Sequence, residues 1–370
     1  FLERLFFFTP PSLFTAKIEG VAVNFLRSLH FLACDKVFDR SRIPLRTSVF
    51  IDEAERNGIK FFALRGPLGY VNFFYMEMNR RRYLFEGLPR AEHLTCKSAE
   101  RIDDKMFIKR KLSEVGLPVA PGKSFSFFGS WSARRYGNSL GFPLVVKPRF
   151  GSMSQHVTVN IKNEIGLREA IKKALRYSPH FIVEKFLENV SVFRVTVIDE
   201  EFVACVKRVP AHVIGDGIHT IQELIDIKNQ DPRRGKPKQK DATIFKLVVD
   251  ETSEKLLREK NFDLFSIPRV GEIVYLQEKV ILDLGADLFE VTKDVHQDNL
   301  ELFSCTVRLF GAKLVGIDFL AEDVTKSWKE QSCEIIELNS LPYIDMHHFP
   351  TEGEPVPVAK FLCGLVEKYY

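Results

Sequence analysis

Two strands joined by a loop of small residues limit this chain more than any other stretch. Pro143 to Pro148 (PLVVKP) is a β-branched run stopped by a proline, RFGSMSQH is a Gly/Ser loop, and VTVNI is a second strand. A strand, a Gly/Ser loop and another strand make a hairpin that can close over a ligand. The mononucleotide folds instead use a strand-to-helix turn, and no G-x-x-x-x-G-K-[ST] occurs anywhere. The expectation is therefore an α+β protein with antiparallel sheets, not a doubly wound one.

The rest of the chain can be ordered around that hairpin. Residues 1–95 read as a small α/β unit, with a helix over Arg46 to Asn57, strands at Lys60 to Leu64, Tyr70 to Phe74 and Arg82 to Phe85, and a Phe-rich core. Its first residues, FLERLFFFTPP, are broken by Glu3 and Arg4 and stopped by prolines, so they read as a packed helix and not as a signal peptide. Residues 98–116 predict a helix with Ser98 as N-cap, Gly116 past its end and Pro118 as the stop. GLREAIKKALRYS carries Leu167, Ala170, Ile171, Ala174 and Leu175 on one stripe. FIVEKFL, VFRVTVI and FVACVKRVP follow as strands. Thr220 is placed to cap a short helix, Asp298 or Asn299 a long one, and KLVGIDFLAED and CEIIELN are expected to pair as the last two strands.

Composition excludes more than it selects. A net charge of +4 over 370 residues gives no argument for nucleic acid. The basic stretch Arg233 to Lys240 reads either as a solvated loop or as a flap over an acidic substrate, and it lacks the interleaved aromatics of a nucleic-acid surface. No apolar run approaches a bilayer span. Six scattered cysteines without a C-x-x-C pair read as reduced thiols of a cytoplasmic protein. The missing initiator Met is read as the mark of a fragment.

The chemistry gathers at CEIIELNSLPYIDM. Glu337 and Asn339 stand two apart on a strand and so share a face, and Pro342 ends the strand. Asp318, in GIDF, faces them if the last two strands are neighbours. An Asp, a Glu and an Asn form an oxygen-only set that suits Mg²⁺, with Mn²⁺ as the alternative, and disfavours Zn²⁺. Upstream, Lys105 and Lys147 lie on either side of a hinge at Pro118 to Ser124 and can clamp one nucleotide. Lys147 leads into Gly151, Ser152 and Ser154, whose backbone can meet phosphates. Glu184 to Leu187 ends a strand, where main-chain groups can read an adenine edge. Lys207 and Arg208 end another. Together these parts match what ATP-dependent acyl activation requires.

From about Ser98 onward the chain resembles the ATP-grasp ligases, and among them the ATP-grasp modules of cyanophycin synthetases and bifunctional glutathione synthetases. The resemblance rests on DDKMFIKRKLSEVGLPV, VVKPRFGS, VEKF, KRVPAHVIGDGIHTIQELIDIKNQDPRRG, DVHQDN, VGIDF and EIIELNSLPYIDMHHFPTEGEP. It implies an ATP-grasp domain over 96–370, with a central small lobe at about 120–190 and a C-terminal lobe at about 190–370. A flap insertion would lie at about 210–245, and the unit at 1–95 would precede the whole. It implies ATP bound by Lys105, Lys147 and the loop with Gly151, Ser152 and Ser154. Adenine would be held by Glu184, Phe186 and Leu187, and Mg²⁺ by Asp318, Glu337 and Asn339. Arg194 and Lys207 would make nucleotide or acyl-phosphate contacts. The implied reaction joins the carboxylate of an amino acid or small peptide to an amine through an acyl phosphate. The implied protein has small-molecule partners, no nucleic acid and room for homo-oligomerisation.

The sequence departs from that pattern in three places. Ser154 and His156 replace glycines of the phosphate loop. Gln277, Lys279, Ile281, Asp283, Gly285 and Ala286 stand where cyanophycin synthetases carry an Arg, paired Asn residues and a Ser-x-Gly-Gly, which points to a different substrate. The Mur-ligase-like domain that follows in cyanophycin synthetases is not in this sequence, so alternating Asp/Arg polymer synthesis by this chain alone is not implied. A Gly-poor loop also leaves room for a rival reading, a non-catalytic ATP-binding module that acts as an interaction subunit. His347 and His348 read as a substrate-side or structural loop and, lacking a third ligand, not as a metal site.

Overall fold

A computed structural model describes Val23 and residues 25–91, 102–149 and 156–370. The Phe-rich start, the Ser98 cap, and Gly151, Ser152 and Ser154 of the phosphate loop fall outside those residues.

In chain order the elements are β1 (Ala33–Asp35), α1 (Leu45–Arg56), β2 (Lys60–Gly66), β3 (Gly69–Met78), β4 (Arg81–Glu86) and α2 (Lys105–Glu114). Next come β5 (Gly122–Ser126), α3 (Ser130–Leu140), β6 (Leu144–Pro148), β7 (Thr158–Ile161), α4 (Glu164–Leu175), β8 (His180–Lys185) and β9 (Ser191–Ile198). The middle of the chain holds β10 (Phe202–Val209), β11 (His212–Ile214), α5 (Ile221–Asn229), β12 (Arg234–Gly235), β13 (Ile244–Phe245), α6 (Glu251–Glu259) and β14 (Ile273–Tyr275). The last are β15 (Asp287–Glu290), α7 (Gln297–Phe310), β16 (Leu314–Ala321), β17 (Cys333–Asn339), α8 (Asp345–His348) and α9 (Val358–Tyr369).

These elements form two compact units, each assembled from stretches far apart in sequence. The first takes residues 1–24, 90–203 and 294–342, the second residues 25–89, 204–293 and 343–370.

In the first unit the expected hairpin is real. β6 and β7 pair antiparallel, and β8 and β5 extend the sheet in the order β5-β8-β6-β7. α3 and α4 cover it through Ala133, Leu167, Ala170 and Ile171, which close a core with Leu144, Val146, Phe181 and Val183. This is the stripe expected for α4, and Gly137 of α3 lets the helices close up, because a Cβ there would stand 2.6 Å from Leu167 Cδ2. A second sheet places β16 between β9 and β17, both antiparallel to it. Phe303 of α7 packs edge-on against Phe319 of β16, ring centroids 5.1 Å apart.

Two helix starts differ from expectation. α2 begins at Asp104, whose carboxylate accepts hydrogen bonds from the Met106 and Phe107 amides. α7 is capped by His296, whose ring nitrogen accepts from the Asp298 amide. Neither expected residue is available for that cap: the Asp298 carboxylate takes Ser327 and Lys329, and Asn299 bonds the Val324 and Lys326 carbonyls.

In the second unit, β1 to β4 form an antiparallel meander. Phe50, Phe61, Phe74 and Phe85 meet at centroid distances of 5.7–6.2 Å, so these phenylalanines are core. The Thr220 cap on α5 is present as a full capping box with Glu223. β10 pairs antiparallel with β15 and β11 with β14, while the short β12 and β13 run parallel. The basic stretch after α5 is not wholly exposed. Arg234 is buried against Asp287, which also takes Lys228 at 2.5 Å, and Arg233 donates to the Pro350 carbonyl. A guanidinium held this way is an anchor for the segment and not part of a polyanion surface.

Candidate functional site

The sheet β9-β16-β17 builds a row of charge by register alone. Arg194 of β9 lies opposite Asp318 of β16, and Asp318 lies opposite Glu337 of β17. Residues directly across an antiparallel pair share a face, so the three side chains stand side by side. Asn339 is next along, opposite Gly316, with its amide 3.5 Å from Glu337 Oε1. Thus the pairing expected of the last two strands holds, and Asp318 faces the Glu337/Asn339 pair.

Gly316 makes that row possible. A Cβ at this position would meet Arg194 Nη1 at 2.9 Å and Pro342 Cβ at 3.1 Å. With only a hydrogen there, the guanidinium lies over the strand and pairs with Asp318, Nε to Oδ1 at 2.7 Å. A glycine one residue before the Ile-Asp of a strand is the signal that could have marked it in the sequence.

Helix α2 supplies two lysines to this unit, one turn apart. Lys105 Nζ is 3.0 Å from Glu337 Oε2. Lys109, which the sequence reading passed over, reaches Glu184 at 2.9 Å and donates to the Ala120 carbonyl at 2.6 Å. Positions i and i+4 share a helix face, so the spacing was legible, but the partner was not. Lys147 closes on the same carboxylate, Nζ to Glu184 Oε1 at 2.5 Å.

The electrostatics follow from burial against pairing. Burial pushes the Glu337 carboxyl up, but the charges of Lys105 and Arg194 outweigh it and hold it down at about 2. Burial lowers the Lys147 ammonium, and Glu184 more than reverses this, so Lys147 stays charged. Glu184 likewise lies below the usual carboxylate range, because Lys147 and Lys109 overcome its burial. Glu334, also missed, is pushed up to about 7 by burial and by the charge of Glu184, with Lys109 and Lys147 acting against the shift.

The other expected residues fall out as follows. The Glu184 side chain is committed to the two lysines, while Phe186 and Leu187 are half-buried just past β8, with the Phe186 amide donating to the Pro143 carbonyl at 3.1 Å. Lys207 lies in the second unit, on β10 opposite Phe289. His347 is fully buried and bonds Glu290 at 3.0 Å, and His348 Nε2 accepts from the Ala359 amide, so the histidine pair is structural. Gln277 is buried too, and donates to Asp250 in the capping box of α6. Among the described residues no three His, Cys, Asp or Glu side chains converge as metal ligands. The oxygen set is two carboxylates and one amide, which fits a hard cation that keeps waters or phosphate oxygens in its shell. A cavity of about 840 Å³ opens beside the hinge, between Phe107, Arg110, Lys123 and Tyr136. Neither Lys105, Lys147 nor the carboxylate row lines it.

Comparison with known proteins gives a consistent set. A sequence-family model described as D-ala D-ala ligase C-terminus matches residues 111–241. The chain is 34% identical to a cyanophycin synthetase of Crocosphaera subtropica over 83% of its own length and 34% of that protein. It is 32% identical to the glutathione biosynthesis bifunctional protein GshAB of Listeria innocua, over 86% of the chain and 41% of the relative. The chain thus spans about a third of the length of the cyanophycin synthetases it matches. Among solved structures, a bifunctional glutathione synthetase from Pasteurella multocida superposes with a TM-score of 0.66 at 22% identity, over 89% of this chain and 44% of that one. Among the described residues no helix is long and apolar enough to cross a membrane.

Proposed function

We propose, from the premise that this chain belongs to the ATP-grasp superfamily, that it is an ATP-dependent carboxylate–amine ligase whose substrate is an amino acid or small peptide. The observation that carries the proposal is the row Arg194, Asp318, Glu337 and Asn339 at one sheet end, with Lys105 against it. It combines an oxygen donor set with fixed cations, which is what moving a phosphoryl group from ATP to a carboxylate needs.

In this reading the Phe186 and Leu187 main chain takes the adenine edge. Lys105 and Lys147 hold phosphate oxygens. Asp318, Glu337 and Asn339 hold Mg²⁺ or Mn²⁺, which when bound neutralises charge building on the phosphoryl oxygens. Arg194 would make a nucleotide or acyl-phosphate contact. A substrate carboxylate oxygen attacks the γ-phosphorus and ADP leaves. The amine nitrogen then attacks the acyl carbon, the C–O bond to phosphate breaks, and the amine gives up a proton as the amide forms. Glu184 and Lys109 touch no substrate in this scheme. Glu184 holds Lys147 charged and in place, and Lys109 helps keep Glu184 ionised.

The test is ATP-dependent ADP release across amino acids and dipeptides, with mass spectrometry of the product and Glu337→Gln as the control. ADP release with one carboxylate–amine pair, reduced to background by Glu337→Gln in a variant that melts like the parent, is the expected result. Normal turnover by the variant would remove the site assignment. Tight ATP binding with no ADP release under any mixture would favour the non-catalytic binding module, which the Gly-poor loop makes the natural rival.

A further inference from the structure

Each carboxylate assigned above to a divalent cation is already paired with a cation of the chain. Lys105 holds Glu337 at 3.0 Å. Arg194 holds Asp318 through two contacts, Nε to Oδ1 at 2.7 Å and Nη2 to Oδ2 at 3.3 Å. Lys105, Arg194 and Asp318 are 8%, 6% and 6% exposed, and Glu337 is half-buried. Lys105 and Arg194 are also the groups assigned to phosphate and acyl phosphate. So the same side chains stand on both sides of the ligand ledger.

Pair geometry at this burial makes the two ligands interdependent. A divalent cation brought to Glu337 and Asp318 takes them from Lys105 and Arg194. It parts two buried cations from the carboxylates that face them and sets a third positive charge a few ångströms away, which is unfavourable at this burial. A polyphosphate brought alone to Lys105 and Arg194 draws them from the two carboxylates in the same way. When both arrive together, carboxylates go to metal and cations go to phosphate, and every buried charge is re-paired.

We propose that Lys105 and Arg194 act as built-in competitors for the metal, so that the site admits a divalent cation with a polyphosphate and excludes it alone. This deepens the ligase reading and rests on its metal assignment. It makes Lys105 a residue that weakens bare metal binding while strengthening nucleotide binding, which a merely structural lysine would not do.

The experiment is Mn²⁺ retention by ultrafiltration, with electron paramagnetic resonance of the bound ion, on the full chain with and without the β,γ-imido analogue of ATP. The proteins are wild type, Lys105→Met, Lys105→Gln and Glu337→Gln, each checked by circular dichroism and melting. Wild type is expected to retain little Mn²⁺ without the analogue. Both Lys105 variants should bind bare Mn²⁺ roughly tenfold more tightly, a typical coupling between sites, and bind the analogue less well. Bare Mn²⁺ bound as tightly by wild type as with the analogue, or unchanged in both Lys105 variants, overturns the proposal. Glu337→Gln separates the two failures. If it retains Mn²⁺ with the analogue as wild type does, the metal assignment itself is wrong. If it loses that Mn²⁺ while the Lys105 variants show no gain, the assignment stands and only the competition is refuted.

Discussion

Glu334 shows how much chemistry one residue can hide in an alternating strand. Strict alternation in CEIIELN puts Glu334 and Glu337 on opposite faces. In the structure Asp318 lies opposite Glu337 and Leu320 opposite Glu334, with a bulge at the intervening Ile336. Residues 318 and 320 share a face, so the bulge turns both glutamates to the same side. That places Glu334 near Glu184, Lys109 and Lys147, buried, with its carboxyl pushed up to about 7 from an ordinary 4.5. The native state then keeps a proton that the unfolded chain has released, so stability falls as pH rises from about 4.5 through 7. The shift corresponds to about 3 kcal/mol across that window. Glu334→Gln should melt like the parent at pH 5 and above it at pH 8, with a flatter stability profile between. Parallel profiles for the two proteins would mean that Glu334 ionises freely in the fold.

At the scale of elements, β16 shows why a site can be half legible. GIDF reads as a strand from its apolar pattern, and its Asp reads as a ligand because CEIIELN reads as a partner strand. Helix α4 and the Thr220 box were legible for the same reason, since periodicity and capping act through neighbours in sequence. What stayed hidden depends on neighbours in space: Lys109 against Glu184 and Arg234 against Asp287. Gly316 belongs to this second class. Its alanine variant improves strand propensity locally, yet sets a methyl 2.9 Å from Arg194 Nη1 and 3.1 Å from Pro342. Arg194 must give way, and the Arg194–Asp318 pair with it. Gly316→Ala is expected to lower ADP release strongly and to lower the melting temperature with it, because a buried ion pair is disturbed. Unchanged turnover would show that Arg194 need not lie where Gly316 lets it.

At the scale of the whole molecule, the chain is threaded and not beaded. The second unit takes residues 25–89 together with residues 204–293 and the C-terminal 343–370. Its closing helix α9 buries Val358, Leu362, Leu365 and Val366, and it packs on α1, where Phe50, Ile51 and Ala54 are buried. The Tyr83 hydroxyl donates to the Tyr370 carbonyl, and the two rings meet edge to face at 5.1 Å. Contacts across nearly three hundred residues leave no trace in local periodicity, so a sequence reading divides the chain at composition shifts such as residue 95. The two divisions differ in what they predict for a chain starting at residue 96. Cut there, α9 loses the helix it packs on and exposes an apolar stripe, which should favour association over folding. Such a chain is expected to elute as aggregates and to melt without a cooperative transition, while the 370-residue chain stays monodisperse. A monodisperse, cooperatively melting 96–370 fragment would instead mean that the ATP-grasp portion closes its own core, and that the meander β1–β4 is an addition to a fold already complete.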